Sequence, residues 1–204
     1  MGQESPLLIL PLLAAAATVA MWWLDDWQRA RSGTPVARPL PGATSATALA
    51  VALAATGALL LLAMETLGEY RLGLVAQQSR MTLLFGVYTL AAALVEELIF
   101  RGYLVVDNRG PAALWAGVLG ASVLFALLHP FFWEWRDGGL HLHQDAKAWY
   151  STGAILAGSV WFYTVRFWPL NPSRSLWPCI AAHVVKNLGV FAIKYAQGYV
   201  GGWW

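Results

Sequence analysis

Charge is scarce in this chain of 204 residues. Asp, Glu, Lys and Arg together make up 12%, about half the share of an ordinary soluble domain. They nearly cancel, leaving a net charge of +2. No basic stripe is present to neutralise phosphates, which excludes a nucleic-acid partner. Cysteine is scarcer still: Cys179 stands alone, so no intrachain disulfide can form and nothing follows about redox compartment. Its apolar neighbours assign it a small, buried side chain. There is no internal repeat, low-complexity tract or second soluble domain.

What is abundant is apolar: hydrophobic residues reach 58%, and Trp occurs 12 times, often beside the ends of apolar runs. Trp at such positions suits the membrane–water interface. A helix needs about 20 apolar residues to cross a bilayer, and the runs predict spans at about 5–24, 43–64, 81–106, 111–129, 148–166 and 175–195. The fold class read from this is all-α, a polytopic transmembrane bundle of about six spans. A single integral membrane domain then covers residues 1–204. The first run lacks basic flanking residues and ends in Trp22-Trp23, so it reads as a retained helix and not a leader. Met1-Gly2 resembles a myristoylation start, but Pro6 occupies the Ser/Thr position. Connections are short, and 107–111 reads as a tight turn before a helix at Pro111. Lys and Arg divide seven to five between the two sides (Arg29, Arg31, Arg38, Arg101, Arg109, Arg166 and Arg174 against Arg71, Arg80, Arg136, Lys147 and Lys194). That division places the termini outside.

Two spans break the apolar rule. The third must carry Glu96, Glu97 and Arg101, and the sixth must carry His183, Lys186 and Asn187. Charge at membrane depth costs on the order of a few kcal/mol and marks a functional site by default. Glu97 and Arg101 are spaced i, i+4 and can neutralise each other. Glu96 points about 100° away and has no partner on its own helix. His129 ends the fourth run one turn after Phe125, and His183 and Asn187 share a face. Three helices can thus direct a carboxylate, two imidazoles and a carboxamide into one cavity. That set suits hydrolysis, with a carboxylate as general base for water and nitrogen donors for an oxyanion. Counting about 1.5 Å per residue from the 107–111 turn puts Glu96 roughly 15 Å in and His129 roughly 25 Å in, so helices must tilt or the fourth must start later.

The segments Glu96-Glu97-Leu98-Ile99-Phe100-Arg101, Phe125-Ala126-Leu127-Leu128-His129 and His183-Val184-Val185-Lys186-Asn187 follow the patterns EExxxR, FxxxH and HxxxN. In order and spacing they resemble the CAAX-protease and bacteriocin-processing family of glutamate-type intramembrane endopeptidases, over about residues 81–195. The resemblance implies that Glu96 activates water and that His129 shares it. It implies that His183 and Asn187 stabilise the oxyanion. Glu97 and Arg101 would form an ion pair that shapes the site or touches the substrate tail, and Phe125 would be a packing position. It implies no cofactor and no obligatory metal. The implied partners are the lipid bilayer and a membrane-anchored or lipidated protein substrate, cut near its carboxy terminus. A sorting-type enzyme that trims a carboxy-terminal anchor is the analogy the bacterial style of the helices suggests. A bacterial inner membrane is then the expected location.

Rival readings are a metal-dependent hydrolase built on Glu96, Glu97, His129 and His183, a non-catalytic immunity or scaffold protein, and a proton-coupled transporter. The first lacks an HExxH or ExxH spacing, and the last lacks two symmetric halves. His141 and His143 read as a solvated loop. The aromatic stretch 131–135 reads as interfacial and is a candidate gate for substrate entry. Trp203 and Trp204 read as an interfacial anchor. Lys186 either tunes the oxyanion site or snorkels to the surface.

Overall fold

The computed structural model describes residues 5–204, so the Met1-Gly2 signal falls outside the described residues. Six long helices form: α1 Pro6–Arg31, α2 Ala48–Arg71, α3 Leu83–Glu97, α4 Pro111–Leu128, α5 Ala146–Phe167 and α6 Trp177–Ala196. Their starts are written in the sequence. Thr47, Thr82 and Asp145 accept hydrogen bonds from Ala50 N, Phe85 N and Ala148 N at 3.1, 3.2 and 2.8 Å. Proline occupies the first turn of α1, α4 and α6, where a missing N–H costs nothing.

Five helices are long and apolar enough to cross a membrane, the third of them counted through Tyr103. The sixth, α5, has 22 residues but carries Ser151, Thr152, Ser159 and Arg166 on its buried side. The bundle is inverted relative to a soluble protein. Leu7, Leu60, Met64, Leu119 and Leu124 face outward, whereas Glu97, Arg101, Lys186 and His183 are buried. That distribution suits a lipid solvent and makes the chain a multi-pass membrane protein.

Two expectations about the backbone change. The third span does not run on as an α-helix: at Leu98 it becomes a π-helix, Leu98–Tyr103. The wider turn frees carbonyls, and α5 satisfies them. Tyr163 donates to Phe100 O at 2.5 Å, and Arg166 Nε donates to Arg101 O at 3.3 Å. The long loop after α4, read from sequence as a solvated and interfacial loop, has regular structure. It contains an antiparallel hairpin, β1 Trp133–Arg136 and β2 Gly139–Leu142, with Trp133 opposite Leu142 and Trp135 opposite Leu140. Opposed residues share a face, so these four make one apolar side. Exposed His141 and half-buried His143 bind locally, to Arg136 O at 3.2 Å and Glu134 at 3.7 Å.

Small residues let the helices approach. Ala50, Ala54 and Ala58 form a fully buried stripe on α2, which packs along α6. Beside that stripe the Trp161 indole of α5 lies over Gly57 and donates to Ala54 O at 3.0 Å. The carboxy-terminal segment closes the opposite end: Gly202 O and Trp203 O accept from Leu83 N and Leu84 N at 3.2 and 3.0 Å, satisfying the first donors of α3. Trp203 and Trp204 themselves stay exposed.

Burial also removes the sequence argument for orientation. Arg101 and Arg166 are buried inside the bundle and are not loop cations. Without them each side carries five Lys or Arg, and the charge rule gives no direction.

A Cβ at Gly57 would lie 2.1 Å from Trp161 Cζ2, whereas one at Gly120 on α4 meets nothing within 4 Å. Gly57→Ala should therefore lower the thermal midpoint of the detergent-solubilised protein by overpacking, about 1–3 kcal/mol. Gly120→Ala should leave the midpoint unchanged or raise it by up to about 1 kcal/mol of helix propensity.

Candidate active site

A cavity of about 800 Å³ opens between α2, α3, α5 and α6, with the end of α4 closing one wall. Its outer end lies among exposed Gln77, Ser79 and Arg80, in the connection from α2 to α3. Glu96, Phe125, His129, His183 and Asn187 all line it. Glu97 and Arg101 do not.

Glu97 and Arg101 are both completely buried and pair at 3.1 Å. The guanidinium also donates to Ser159 Oγ at 2.6 Å, and that hydroxyl bonds Ser122 Oγ at 3.0 Å. Aromatic rings enclose the cation, with centroids at 4.6 Å (Phe125), 4.9 Å (Tyr163), 5.2 Å (Phe162) and 5.8 Å (Phe100). So enclosed, Arg101 has no route to a substrate tail. Phe125 packs between Arg101, Phe100 and both histidines.

The same Glu97 oxygen accepts from His183 Nδ1 at 2.8 Å. A carboxylate paired with arginine can only accept, so the His183 proton sits on Nδ1 and Nε2 is turned to the cavity. Phe162 stacks on the ring at 4.9 Å and fixes its plane. His183 Nε2 then faces Glu96 Oε2 at 3.8 Å, too far for a direct bond and suited to a shared small donor. Asn187, one turn on, donates one Nδ2 hydrogen to Thr89 O at 3.0 Å and keeps a second on the same nitrogen.

His129 terminates α4. Its Nδ1 bonds Phe125 O at 2.8 Å, so that nitrogen also carries the proton and Nε2 is again free. Phe131 stacks on its other side at 6.4 Å. No hydrogen bond or ion pair joins His129 to Glu96 among the described residues. The fourth helix starts at Pro111 as expected, and both residues nevertheless line the same cavity.

Sequence reasoning missed the α2 wall. Glu65 pairs with Lys186 at 2.8 Å. Glu69 pairs with Lys147 and accepts from Gln78 at 2.6 Å. Lys186 is thus a buried ion-pair partner and does not snorkel. Both acids sit near the end of an apolar run, where a charge is ordinary, so only a partner on another helix gives them away. Among the described residues the cavity has three carboxylates, and Glu96 is the one without a lysine or arginine partner.

No group of three or more His, Cys, Asp or Glu among the described residues is arranged to hold a metal ion. Glu96 and Glu97 lie against opposite nitrogens of His183, so their donors diverge.

Removing the buried cation should cost far more than a surface pair. Arg101→Met leaves Glu97 charged and stranded, a loss of about 3–5 kcal/mol. Thermal unfolding in detergent should show it as a large drop, whereas Arg29→Met, which removes an exposed pair with Asp25, should move the midpoint by less than about 1 kcal/mol.

No curated protein and no solved structure matches the chain. The pattern of the family described as type II CAAX prenyl endopeptidase, Rce1-like, matches residues 78–189, a stretch holding all seven motif residues from Glu96 to Asn187. That stretch is more than half of the chain, which belongs to the Rce1-like family of type II CAAX prenyl endopeptidases, a family of proteases.

Proposed function

We propose that this protein is an intramembrane endopeptidase that cuts a peptide bond near the carboxy-terminal anchor or lipidated tail of a membrane protein, with Glu96 as the base. The observation that carries the reading is the state of Glu96: half-buried in the cavity, unclaimed by any cation, and 3.8 Å from a histidine nitrogen aimed at it. A carboxylate already neutralised, like Glu97, Glu65 or Glu69, is poorly suited to take a proton. Glu96 is the acid left with that capacity.

Water held between Glu96 and the imidazoles attacks the scissile carbonyl carbon while Glu96 takes its proton. The oxyanion that forms meets the second N–H of Asn187, and His183 when its Nε2 is protonated. Collapse breaks the C–N bond, and the proton passes from Glu96 to the departing amine. Glu97 and Arg101 position His183 without touching substrate. The cavity wall of Leu62, Phe85, Leu128, Ile155 and Val190 suits an apolar segment, which supports a membrane-anchored substrate. Within that class we favour trimming of a carboxy-terminal anchor in a bacterial inner membrane.

Glu96→Gln should abolish cleavage in cells while the protein accumulates normally. Carboxy-terminal peptide mapping of the membrane proteome should then find proteins that keep an intact tail only in the variant. Identical maps from wild-type and stably expressed variant would contradict the reading. Asn187→Ala should slow turnover by about 10²–10³ if it serves the oxyanion. An unchanged rate would remove Asn187 from that role.

A further inference from the structure

The hairpin between α4 and α5 has no part in the proteolytic reading. It is tight and two-sided. Asp137 and Gly138 at its tip both have positive φ, 53° and 75°, as a two-residue turn that matches the strand twist requires. Glu134, Arg136 and His141 alternate with the apolar residues and point to the other side. Arg136 pairs there with Glu134 at 3.1 Å. On the apolar side, Trp135, Leu140 and Leu142 are 71%, 57% and 66% exposed, so no described part of the chain covers them. A lone two-stranded hairpin is marginal in water and becomes stable when an apolar side is packed against something.

Two contacts set which way that side faces. The Trp133 indole, on the apolar side, donates to Leu127 O in the last turn of α4 at 2.8 Å. That bond turns the apolar side back toward the helix end and occupies one of its unpaired carbonyls. Phe132, just before β1, packs edge to face on Trp149 of α5 at 4.6 Å. By length and composition α4 is a membrane-spanning helix. Leu124 and Leu127 near its end, and Trp149 near the start of α5, are exposed. The apolar side of the hairpin therefore continues the lipid-facing surface of these helices, with Trp at its border, at the level of the membrane–water interface.

The cavity opens at this same end of the bundle, since Lys147 at the start of α5 pairs with Glu69 of the cavity wall. A second copy of the chain is a poor occupant for the face. Four side chains on two short strands fall short of the about 800 Å² that each partner contributes to a standard protein interface.

We propose that the apolar side of the hairpin is a membrane-docking surface that rests in the headgroup–acyl boundary of a phospholipid leaflet. Trp133, Trp135, Leu140 and Leu142 lie against lipid, and Glu134, Arg136 and His141 stay in water. The hairpin is then an arm lying on the bilayer at the rim of the cavity, next to Phe131, which stacks on His129. This docking does not rest on the proteolytic reading.

The test uses the full-length protein in nanodiscs of dioleoyl phosphatidylcholine, with one environment-sensitive fluorophore per variant. Cys179 is fully buried and stays unlabelled. Trp135→Cys, Leu140→Cys and Leu142→Cys place the label on the apolar side. Arg136→Cys and His141→Cys place it on the polar side. All five positions are exposed, so labelling displaces no packed side chain. Phosphatidylcholine carrying a nitroxide near the top of its acyl chain should quench the three apolar-side labels several-fold more than the other two. Iodide in water should do the reverse. Equal quenching of the two sides by either probe would overturn the proposal. So would apolar-side labels shielded from both probes, which would put protein on that face. None of these readouts depends on proteolysis.

Discussion

Arg101 carries a full charge in the middle of a bundle built to sit in hydrocarbon, and the neighbouring structure is arranged to tolerate it. Placing such a charge at membrane depth costs on the order of a few kcal/mol even with relaxation. Here Glu97 supplies the counter-charge, Ser159 supplies a short hydrogen bond, and four aromatic faces supply the rest of the enclosure. Each of those groups belongs to a particular helix. Satisfying one cation thus fixes the π-helical end of the third span against α4 and α5. Because Glu97 also binds His183, α6 is fixed as well.

The consequence is a division of labour between adjacent glutamates. Neighbouring helical side chains diverge by about 100°. One carboxylate therefore enters the polar core while the next enters the cavity. Arg101 and His183 share Glu97 Oε1, while its Oε2 is buried without a hydrogen-bond partner, and Glu96 keeps no cation. The other cavity acids follow the Glu97 pattern, since Lys186 neutralises Glu65 and Lys147 neutralises Glu69. What distinguishes Glu96 is the lack of such a partner, and it faces the second nitrogen of a histidine whose first nitrogen is already committed.

Much of this was legible in the sequence where charge interrupts an apolar run. Glu96, Glu97, Arg101 and His183 announce themselves because hydrocarbon tolerates none of them without reason, and the i, i+4 spacing predicts the Glu97–Arg101 pair found at 3.1 Å. The six helices follow from run length, threonine and aspartate caps, and first-turn prolines. Other features left no local signal. Glu65 sits where a helix end normally meets water, so its partner on α6 is visible only in three dimensions. The π-helical turn depends on Tyr163 and Arg166, more than 60 positions later, to receive its carbonyls. Counting Arg101 as a loop cation gave a false charge asymmetry, because sequence alone does not show that it is buried.

The central claim is that Glu97 holds the bundle together and Glu96 does not. The most direct measurement is thermal unfolding of Glu96→Gln and Glu97→Gln side by side in the same detergent. Glu97→Gln removes the charge opposite Arg101 and weakens the bond to His183, so its midpoint should fall by the equivalent of about 3–5 kcal/mol, while Glu96→Gln should match or exceed wild type. Equal losses in both variants, or a loss confined to Glu96→Gln, would contradict the account.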